Sequence, residues 1–411
     1  MCIFAALTIN LMVLKSEIEQ AYFTQQKIIK AKVEFAPRTY LNKIKGKGSH
    51  IEVLSGIRRC GKSTLMKLLM QRIKKPIAYF NFEDARINGF EVNDFQKLDE
   101  IIGKGKAAYF FDEIQNIASW EIFVRQLHER GEKVYITGSN ASLLSKELGT
   151  RLTGRHLRHE LFPFSFQEFL VFKKLKYTVA AFEKYMELGG FPEYLRDPNP
   201  EVLQTLLRDI VLRDIAIRYG IKNSKTLMDL TLYLISNIGK EVSYNNLKKT
   251  FNIGSANSVS DYLTWLEDTY VLFYLPRFSW SAKSVAINPR KVYVIDNGLV
   301  NANSLSFSKD KGRLLENLVY QYLRQKQYQL FYFRENKECD FVVFEKNKCK
   351  QVIQVCSQID SDNKARELDG LIEAMEFFKL KEGFIITLNQ KDKLGFNGKT
   401  VYLIPAFEFI V

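Results

Sequence analysis

The sequence has little of the chemistry that builds disulfide frameworks or zinc sites. It contains five cysteines without C-x-x-C spacing: Cys2, Cys60, Cys339, Cys349 and Cys356. An odd, scattered set of cysteines is typical of a reducing compartment, so we expect a cytoplasmic protein. Only four histidines are present, and the pair His156 and His159 has no cysteine or further histidine nearby. This arrangement argues against a zinc site.

The sequence also lacks a hydrophobic run long enough to cross a membrane. The apolar stretch at residues 1–14 is too short for a transmembrane helix, and it has neither a basic leading region nor an obvious cleavage site. We therefore expect no secretory signal and no membrane partner.

Composition and charge are those of a basic, folded protein. Hydrophobic residues make up 46% and charged residues 26% of 411 positions, which is ordinary for a globular chain of two or three domains. The formal net charge is +14, and residues 1–75 hold fifteen Lys or Arg against four Glu. A triphosphate site explains part of this excess, and double-stranded DNA or an acidic protein partner would explain the rest.

One segment fits the phosphate-binding pattern G-x-x-x-x-G-K-[ST], and the rest of the chain is organised around it. An apolar run typical of a buried parallel strand precedes it, and a helical pattern follows. Lys62 would reach the β and γ phosphates of a nucleotide, and Ser63 would bind Mg²⁺. The predicted nucleotide-binding residues are Gly56, Ile57, Arg58, Arg59, Cys60, Gly61, Lys62, Ser63 and Thr64.

An apolar run at residues 76–83 predicts a second strand, and two acids end a third, apolar strand at residues 107–113. Acids at the end of a parallel strand lie at the carboxyl edge of the sheet, where ligands bind. Asp112 would therefore hold Mg²⁺, directly or through water, and Glu113 would polarise an attacking water. An acidic turn without catalytic function is the alternative.

Further polar groups follow the strand at residues 133–140. Asn140 would orient the water beside the γ phosphate. Arg151 and Arg155 come next, and an arginine there would neutralise transition-state charge, from the same chain or from a neighbouring subunit of a homo-oligomer. Ordinary surface arginines are the alternative.

In this order, the phosphate-binding segment, an additional strand, the acidic strand, the polar strand and a nearby Gly-Arg resemble the AAA+ ATPases. The motifs GGFPEY at 189–194, LRDI at 207–210 and 212–215, IDNG at 295–298 and GRLLENLV at 312–319 are similar to those of uncharacterised prokaryotic ATPases with a C-terminal domain of unknown function. The resemblance implies an α/β fold, namely a P-loop AAA+ parallel sheet with helices on both faces. It also implies ATP as the nucleotide.

The segment from Leu227 to Phe278 resembles a winged helix, with three helices followed by an apolar hairpin. Such modules often bind DNA, but this one has four Lys or Arg against five acids. A protein-docking or architectural role is therefore an equal alternative.

The C-terminal part resembles the restriction-endonuclease fold, in which acids and a lysine on adjacent strands gather magnesium. Glu316 and Asp340 match the acids, whereas Gln354 stands at the second acid position and Cys356 at the lysine position. Because cysteine supplies no fixed positive charge, we expect a nuclease-like domain without cleavage.

Together these patterns predict five segments. They are an N-terminal helical segment at 1–34, an AAA+ ATPase domain at 35–165, a helical linker at 166–225, a winged-helix-like module at 226–285 and a small α/β nuclease-like domain at 286–411. The predicted function is a Mg²⁺-dependent ATPase that couples its nucleotide state to C-terminal modules docking DNA or protein. A non-hydrolysing, nucleotide-gated binding module and an ATP-controlled nuclease are the alternatives.

Overall fold

The computed structural model describes residues 13–30, 35–46, 48–140, 152, 154–305 and 310–410. The chain divides into two compact units. The first lies within Met1–Gly56 and Gly61–Leu161, and the second comprises Ile57–Cys60 and Phe162–Val411. Among the described helices, none has the length and apolar character needed to cross a membrane.

The first unit contains a five-stranded parallel sheet with strand order β2-β3-β4-β1-β5. Strands β1, β3 and β4 are buried throughout, which explains their continuous apolar sequences. The five strands are β1 Ile51–Ser55, β2 Ile77–Asn81, β3 Ala108–Asp112, β4 Val134–Gly138 and β5 His156–Glu160. This architecture confirms the predicted α/β fold of the P-loop AAA type.

Helices flank this sheet. Where α3 and α4 meet, the rings of Phe95 and Phe123 stack with their centroids 4.6 Å apart. The α-helices are α1 Lys15–Lys30, α2 Lys62–Gln71, α3 Asp94–Ile102 and α4 Trp120–Glu129, and short 3₁₀ helices span Thr39–Asn42, Ala85–Ile87 and Ile114–Asn116.

Helix α1 is part of the first unit. Its apolar face buries Ile18, Ala21 and Tyr22. The side-chain amide of Gln25 accepts a hydrogen bond from the backbone N–H of Asn81 at the end of β2, over 2.8 Å. The part of the predicted 1–34 segment that the structure describes is therefore structurally continuous with the sheet domain.

The second unit begins with helices. The first are α5 Phe166–Lys173, α6 Val179–Leu188, α7 Pro192–Arg196 and α8 Pro200–Asp209, followed by a π-helix at Ile210–Ile217. The later helices, most of which alternate with strands, are α9 Ser224–Ser236, α10 Tyr244–Thr250, α11 Ala256–Asp268, α12 Ala282–Ile287, α13 Asn297–Asn303, α14 Lys311–Gln325, α15 Lys364–Phe377 and α16 Ala406–Phe409.

A three-stranded antiparallel sheet is formed by strands that lie between and after helices α9 to α11 in the chain. Its order is β6-β8-β7, with β6 Glu241–Val242, β7 Leu272–Pro276 and β8 Arg290–Val294. Because β8 pairs with both other strands, this sheet extends beyond residue 285, where the sequence patterns had placed the end of the module.

A six-stranded mixed sheet forms the C-terminal part of the second unit, in the order β13-β14-β12-β11-β10-β9. Helix α15 covers a core that includes Val342, Leu371, Met375 and Ile385. The strands are β9 Gln329–Arg334, β10 Glu338–Glu345, β11 Lys348–Val355, β12 Glu382–Thr387, β13 Asp392–Phe396 and β14 Lys399–Pro405.

Two of the sequence motifs interlock in the second unit. The backbone N–H of Gly190 donates to Oδ2 of Asp296 over 2.6 Å, and Oδ1 of Asp296 accepts the N–H groups that begin α13. A Cβ on Gly190 would lie 2.2 Å from the carbonyl oxygen of Phe164, so only glycine fits there. The motifs at 189–194 and 295–298 are therefore parts of one packing arrangement.

Candidate nucleotide-binding site

The predicted phosphate-binding segment connects the end of β1 to the start of α2. The backbone takes positive φ angles at Gly56 (150°), Arg59 (63°) and Gly61 (100°). Glycine adopts such angles without strain, which explains its place at both ends of the loop. Helix α2 begins at Lys62, so the loop leads directly to a helix N-terminus, where backbone N–H groups favour anions.

Lys62 is buried at this edge of the sheet, with only 4% of its surface exposed. Its Nζ donates to the carbonyl oxygen of Gly56 over 3.1 Å and lies 3.6 Å from Oε1 of Glu113. The structure thus brings together Lys62 and Glu113, two of the predicted site residues.

Asp112 ends β3 and is almost fully buried. Its Oδ1 accepts a short hydrogen bond from Oγ1 of Thr137, and its Oδ2 accepts one from the Tyr79 hydroxyl over 3.0 Å. Burial raises the pKa of Asp112 above its usual value, although hydrogen bonds from Thr137 and Ser63 act in the opposite direction. The two predicted magnesium ligands, Ser63 and Asp112, are therefore in contact.

Glu113 follows with a left-handed backbone (φ 53°), which turns the chain away from the strand. Its N–H donates to Oγ1 of Thr137 over 3.0 Å. Its Oε2 accepts from Nε2 of Gln115 over 2.5 Å, and the same nitrogen lies 3.3 Å from Oγ of Ser139, just after β4. The carboxylate of Glu113 is therefore in contact with Gln115 as well as with Lys62.

The remaining catalytic candidates differ in position. Asn140 is buried and follows β4 on the same carboxyl edge. Arg155 precedes β5, and its carbonyl oxygen accepts the N–H of Ile51 at the start of β1. Since β1 and β5 are parallel, Arg155 lies at the opposite edge of the sheet from Lys62. Arg151 lies outside the described residues.

The middle of the loop groups with the second unit. There Nη1 of Arg59 lies 3.1 Å from both carboxylate oxygens of Glu193, and Nε of Arg58 lies 3.6 Å from Oδ2 of Asp214. Ile57 and Cys60 are completely buried.

Three contributing side chains escaped the sequence patterns. Thr137 is fully buried and contacts both acids, and Tyr79 reaches Asp112 from β2. Arg38, ahead of β1, places Nη1 3.5 Å from the point where a Cβ of Gly61 would lie. Thr137 stands in a polar strand end that the sequence did mark, whereas nothing local marks Tyr79 or Arg38.

The residues at this edge fit a magnesium nucleotide. Mg²⁺ prefers oxygen ligands and usually takes one or two from the protein, the others coming from phosphates and water. The Ser63 hydroxyl and the Asp112 carboxylate provide such a pair. Within the described ranges, no group of three or more His, Cys, Asp or Glu side chains could hold a metal ion by itself.

Comparison with known proteins matches three parts of the chain to family models. Residues 48–170 match the family model of an AAA domain. Residues 179–310 match a domain of unknown function (DUF8612), and residues 311–408 match another (DUF4143). Among solved structures, the Walker-type ATPase PABY2304 of Pyrococcus abyssi superposes with a TM-score of 0.43 at 15% sequence identity, covering 65% of this chain and 95% of that one.

Two relatives match along most of their lengths. The uncharacterized protein MJ1544 of Methanocaldococcus jannaschii is 38% identical over 378 residues, which cover 85% of this chain and 84% of the relative. An uncharacterized protein of Haemophilus influenzae is 29% identical over 352 residues, covering 80% and 87%. The chain carries an AAA-type ATPase domain followed by two domains of unknown function, and it belongs to the same family as the archaeal protein MJ1544.

Proposed function

We propose that the protein binds ATP with Mg²⁺ and hydrolyses it at the carboxyl edge of the parallel sheet. The observation that carries this proposal is the meeting of Lys62, Ser63, Asp112 and Glu113 at one place, from the loop and from β3. These are the types of side chain that phosphoryl transfer needs, namely a cation, a metal-binding pair and a carboxylate base.

Each residue has a distinct part in this proposal. The backbone N–H groups at the start of α2 and the Lys62 ammonium would bind the phosphates. Ser63 and Asp112 would hold Mg²⁺, which neutralises charge that develops on the phosphate oxygens. Glu113 would accept a proton from the attacking water or orient it.

Thr137 is a positioning residue in this scheme. Its hydroxyl donates to Asp112 and accepts the N–H of Glu113, so one side chain fixes the two acids relative to each other. Gln115 donates a hydrogen bond to the Glu113 carboxylate. The paired contact of Lys62 with Glu113 is the interaction that bound phosphates would replace.

Nucleotide binding tests the first half of this proposal. Lys62→Ala should weaken ATP binding by about tenfold or more, because it removes a charge-assisted contact to the phosphates. Lys74→Ala, an exposed lysine that follows α2, is the matched control and should leave the affinity unchanged. Titration calorimetry with Mg²⁺-ATP measures both. Equal affinities in the two variants would contradict the assignment of Lys62.

A steady-state turnover assay beside this titration separates the non-hydrolysing alternative. Tight binding of ATP without measurable turnover would make the protein a nucleotide-gated binding module, in which ATP is a switching ligand. The contacts of Glu113 with Lys62 and Gln115 favour hydrolysis. A carboxylate beside the phosphate-binding lysine adds negative charge, which does not help to bind phosphates, whereas a catalytic base requires it.

We further propose that helices α9 to α11 with strands β6 to β8 form a winged helix that docks protein in preference to DNA. The order of helices and strands and the antiparallel sheet support the winged-helix interpretation. Helix α11, the third helix, contains Asp261, Glu267 and Asp268 but no Lys or Arg. It therefore offers no positive charge for contacts with DNA phosphates. ATP turnover at low salt should therefore be the same with and without double-stranded DNA.

A further inference from the structure

A buried lysine and three carboxylates meet in the second unit. Lys291, on β8, is 2% exposed. Its Nζ lies 2.8 Å from Oδ1 of Asp340, 2.8 Å from Oε1 of Glu338 and 3.3 Å from Oε1 of Glu316. Asp340 and Glu338 belong to β10, and Glu316 belongs to α14. Carboxylates from two elements thus converge on a point that a third element fills with an ammonium group.

Carboxylate oxygens around one point commonly bind a divalent cation in proteins, at about 2.0–2.6 Å. Here the distances are those of hydrogen bonds between an ammonium and carboxylates. Burying a carboxylate costs free energy of desolvation unless a nearby cation offsets it. The buried ammonium of Lys291 lies where it can do so. The acid set therefore already contains its cation, and that cation is covalently part of the chain.

Neighbouring groups fix the acids in this arrangement. The Tyr293 hydroxyl donates to Oε1 of Glu316 over 2.6 Å, and the N–H of Val355 donates to Oδ2 of Asp340 over 2.9 Å. Gln354, on the adjacent strand β11, accepts the N–H of Asp340 through its Oε1 over 3.2 Å. The carboxylates are thus held in place around the Lys291 ammonium.

We propose that Lys291 takes the place of a divalent cation among Glu316, Glu338 and Asp340, so that this acid set is a closed structural site without bound metal. Its ammonium ties β8 to β10 and α14. The sequence patterns had found cysteine where a nuclease-like domain would have lysine. In the structure Lys291, on β8, contacts the acids instead. It occupies the point between the carboxylates that a divalent cation would take.

Thermal unfolding of the full-length, nucleotide-free protein in a Mn²⁺ titration tests this proposal. Wild type and Asp340→Asn should respond to Mn²⁺ in the same way, since neither binds it here. Lys291→Met vacates the ammonium position and should gain a melting midpoint that rises with Mn²⁺ concentration. Lys291→Met/Asp340→Asn should lose that gain. Stabilisation of wild type that Asp340→Asn abolishes, or no gain in Lys291→Met, would overturn the proposal.

A double-mutant cycle covers the case in which Lys291→Met does not fold. Lys291→Met leaves three carboxylates without their cation, whereas Lys291→Met/Asp340→Asn leaves two. The double variant should therefore give a higher soluble yield, and a higher melting temperature, than Lys291→Met alone. Additive losses would contradict direct pairing of Lys291 with Asp340. Mn²⁺-dependent plasmid cleavage by wild type that disappears in Asp340→Asn would also overturn the proposal, because it would show a working metal centre.

Discussion

The hydroxyl of Thr137 donates a hydrogen bond to the buried carboxylate of Asp112, between neighbouring strands of the parallel sheet. The same oxygen accepts the N–H of Glu113. The end of β4 therefore sets the positions of both acids that end β3, and through them the site for Mg²⁺ and water that we propose.

Replacing Thr137 should impair turnover more than nucleotide binding. Thr137→Val keeps the shape of the side chain but removes the hydroxyl. Oδ1 of Asp112 then loses the hydrogen bond from Thr137, and the N–H of Glu113 loses its acceptor. Losing buried hydrogen bonds of this kind costs about 1–3 kcal/mol, so we expect ATP turnover to fall roughly tenfold or more. Thr137→Ser restores the hydroxyl and should recover most of the rate in a steady-state assay. Equal rates in the Val and Ser variants would show that the hydroxyl does not position the acids.

Arg155 should not contribute to nucleotide binding within its own chain. It lies at the edge of the sheet opposite Lys62, and its Nη1 is 3.6 Å from Oε1 of the exposed Glu129. We expect Arg155→Ala to bind ATP with an affinity within about twofold of wild type, whereas Lys62→Ala loses at least tenfold. A comparable loss of affinity in Arg155→Ala would contradict this placement. A decrease in turnover that depends on protein concentration would instead point to action on a neighbouring subunit.

Gly190 should tolerate no side chain. A Cβ there would meet the carbonyl oxygen of Phe164 at 2.2 Å, so Gly190→Ala must displace the backbone that presents an N–H to Asp296. We expect a loss of about 2 kcal/mol or more in the free energy of unfolding, or loss of soluble protein. Gly254→Ala is the control, because a Cβ at Gly254 meets no atom within 4 Å. Its stability should stay within about 0.5 kcal/mol of wild type.

Asp296 should make stability depend on pH. Burial raises its pKa to about 6, against the effect of hydrogen bonds from Gly190, Leu299 and Gly298. Between the unfolded pKa, about 4, and this value the folded state holds a proton that the unfolded state releases, so the contribution to stability is present at low pH and is lost as pH rises. The slope is at most about 1.4 kcal/mol per pH unit.

Asp296→Asn cannot titrate, so it should remove this slope. The melting midpoint of wild type relative to Asp296→Asn should therefore decrease from pH 4.5 to pH 7. A difference that is constant across this range, or one that grows with pH, would show that Asp296 is ionised in the folded protein throughout.

The parts of this protein that could be predicted from the sequence are those encoded by contiguous residues. The loop from Gly56 to Thr64 and the acids after an apolar strand have local patterns, and the continuous apolar runs indicated a parallel sheet. The contact of Lys62 with Glu113 follows from these patterns together, because carboxyl ends of parallel strands share one edge.

The contributions that were missed depend on residues far apart in the chain. Thr137 meets Asp112 across 25 positions, and Lys291 meets Asp340 across 49. Periodicity does not specify such pairs, since their meeting depends on strand order and register. Arg155 shows that nearness in sequence does not ensure contact. It follows β4 in the chain, but it precedes the parallel strand β5 and therefore lies at the edge of the sheet opposite Lys62.

ATP turnover by Glu113→Gln tests the central proposal most directly. Gln keeps the size of the side chain and removes the carboxylate base, so the variant should bind Mg²⁺-ATP with unchanged affinity and hydrolyse it about 10² to 10⁴ times more slowly. Glu129→Gln, at an exposed position on α4, is the matched control and should behave as wild type. If Glu113→Gln hydrolyses ATP at the wild-type rate, the site at the ends of β3 and β4 is not the hydrolytic centre that we propose.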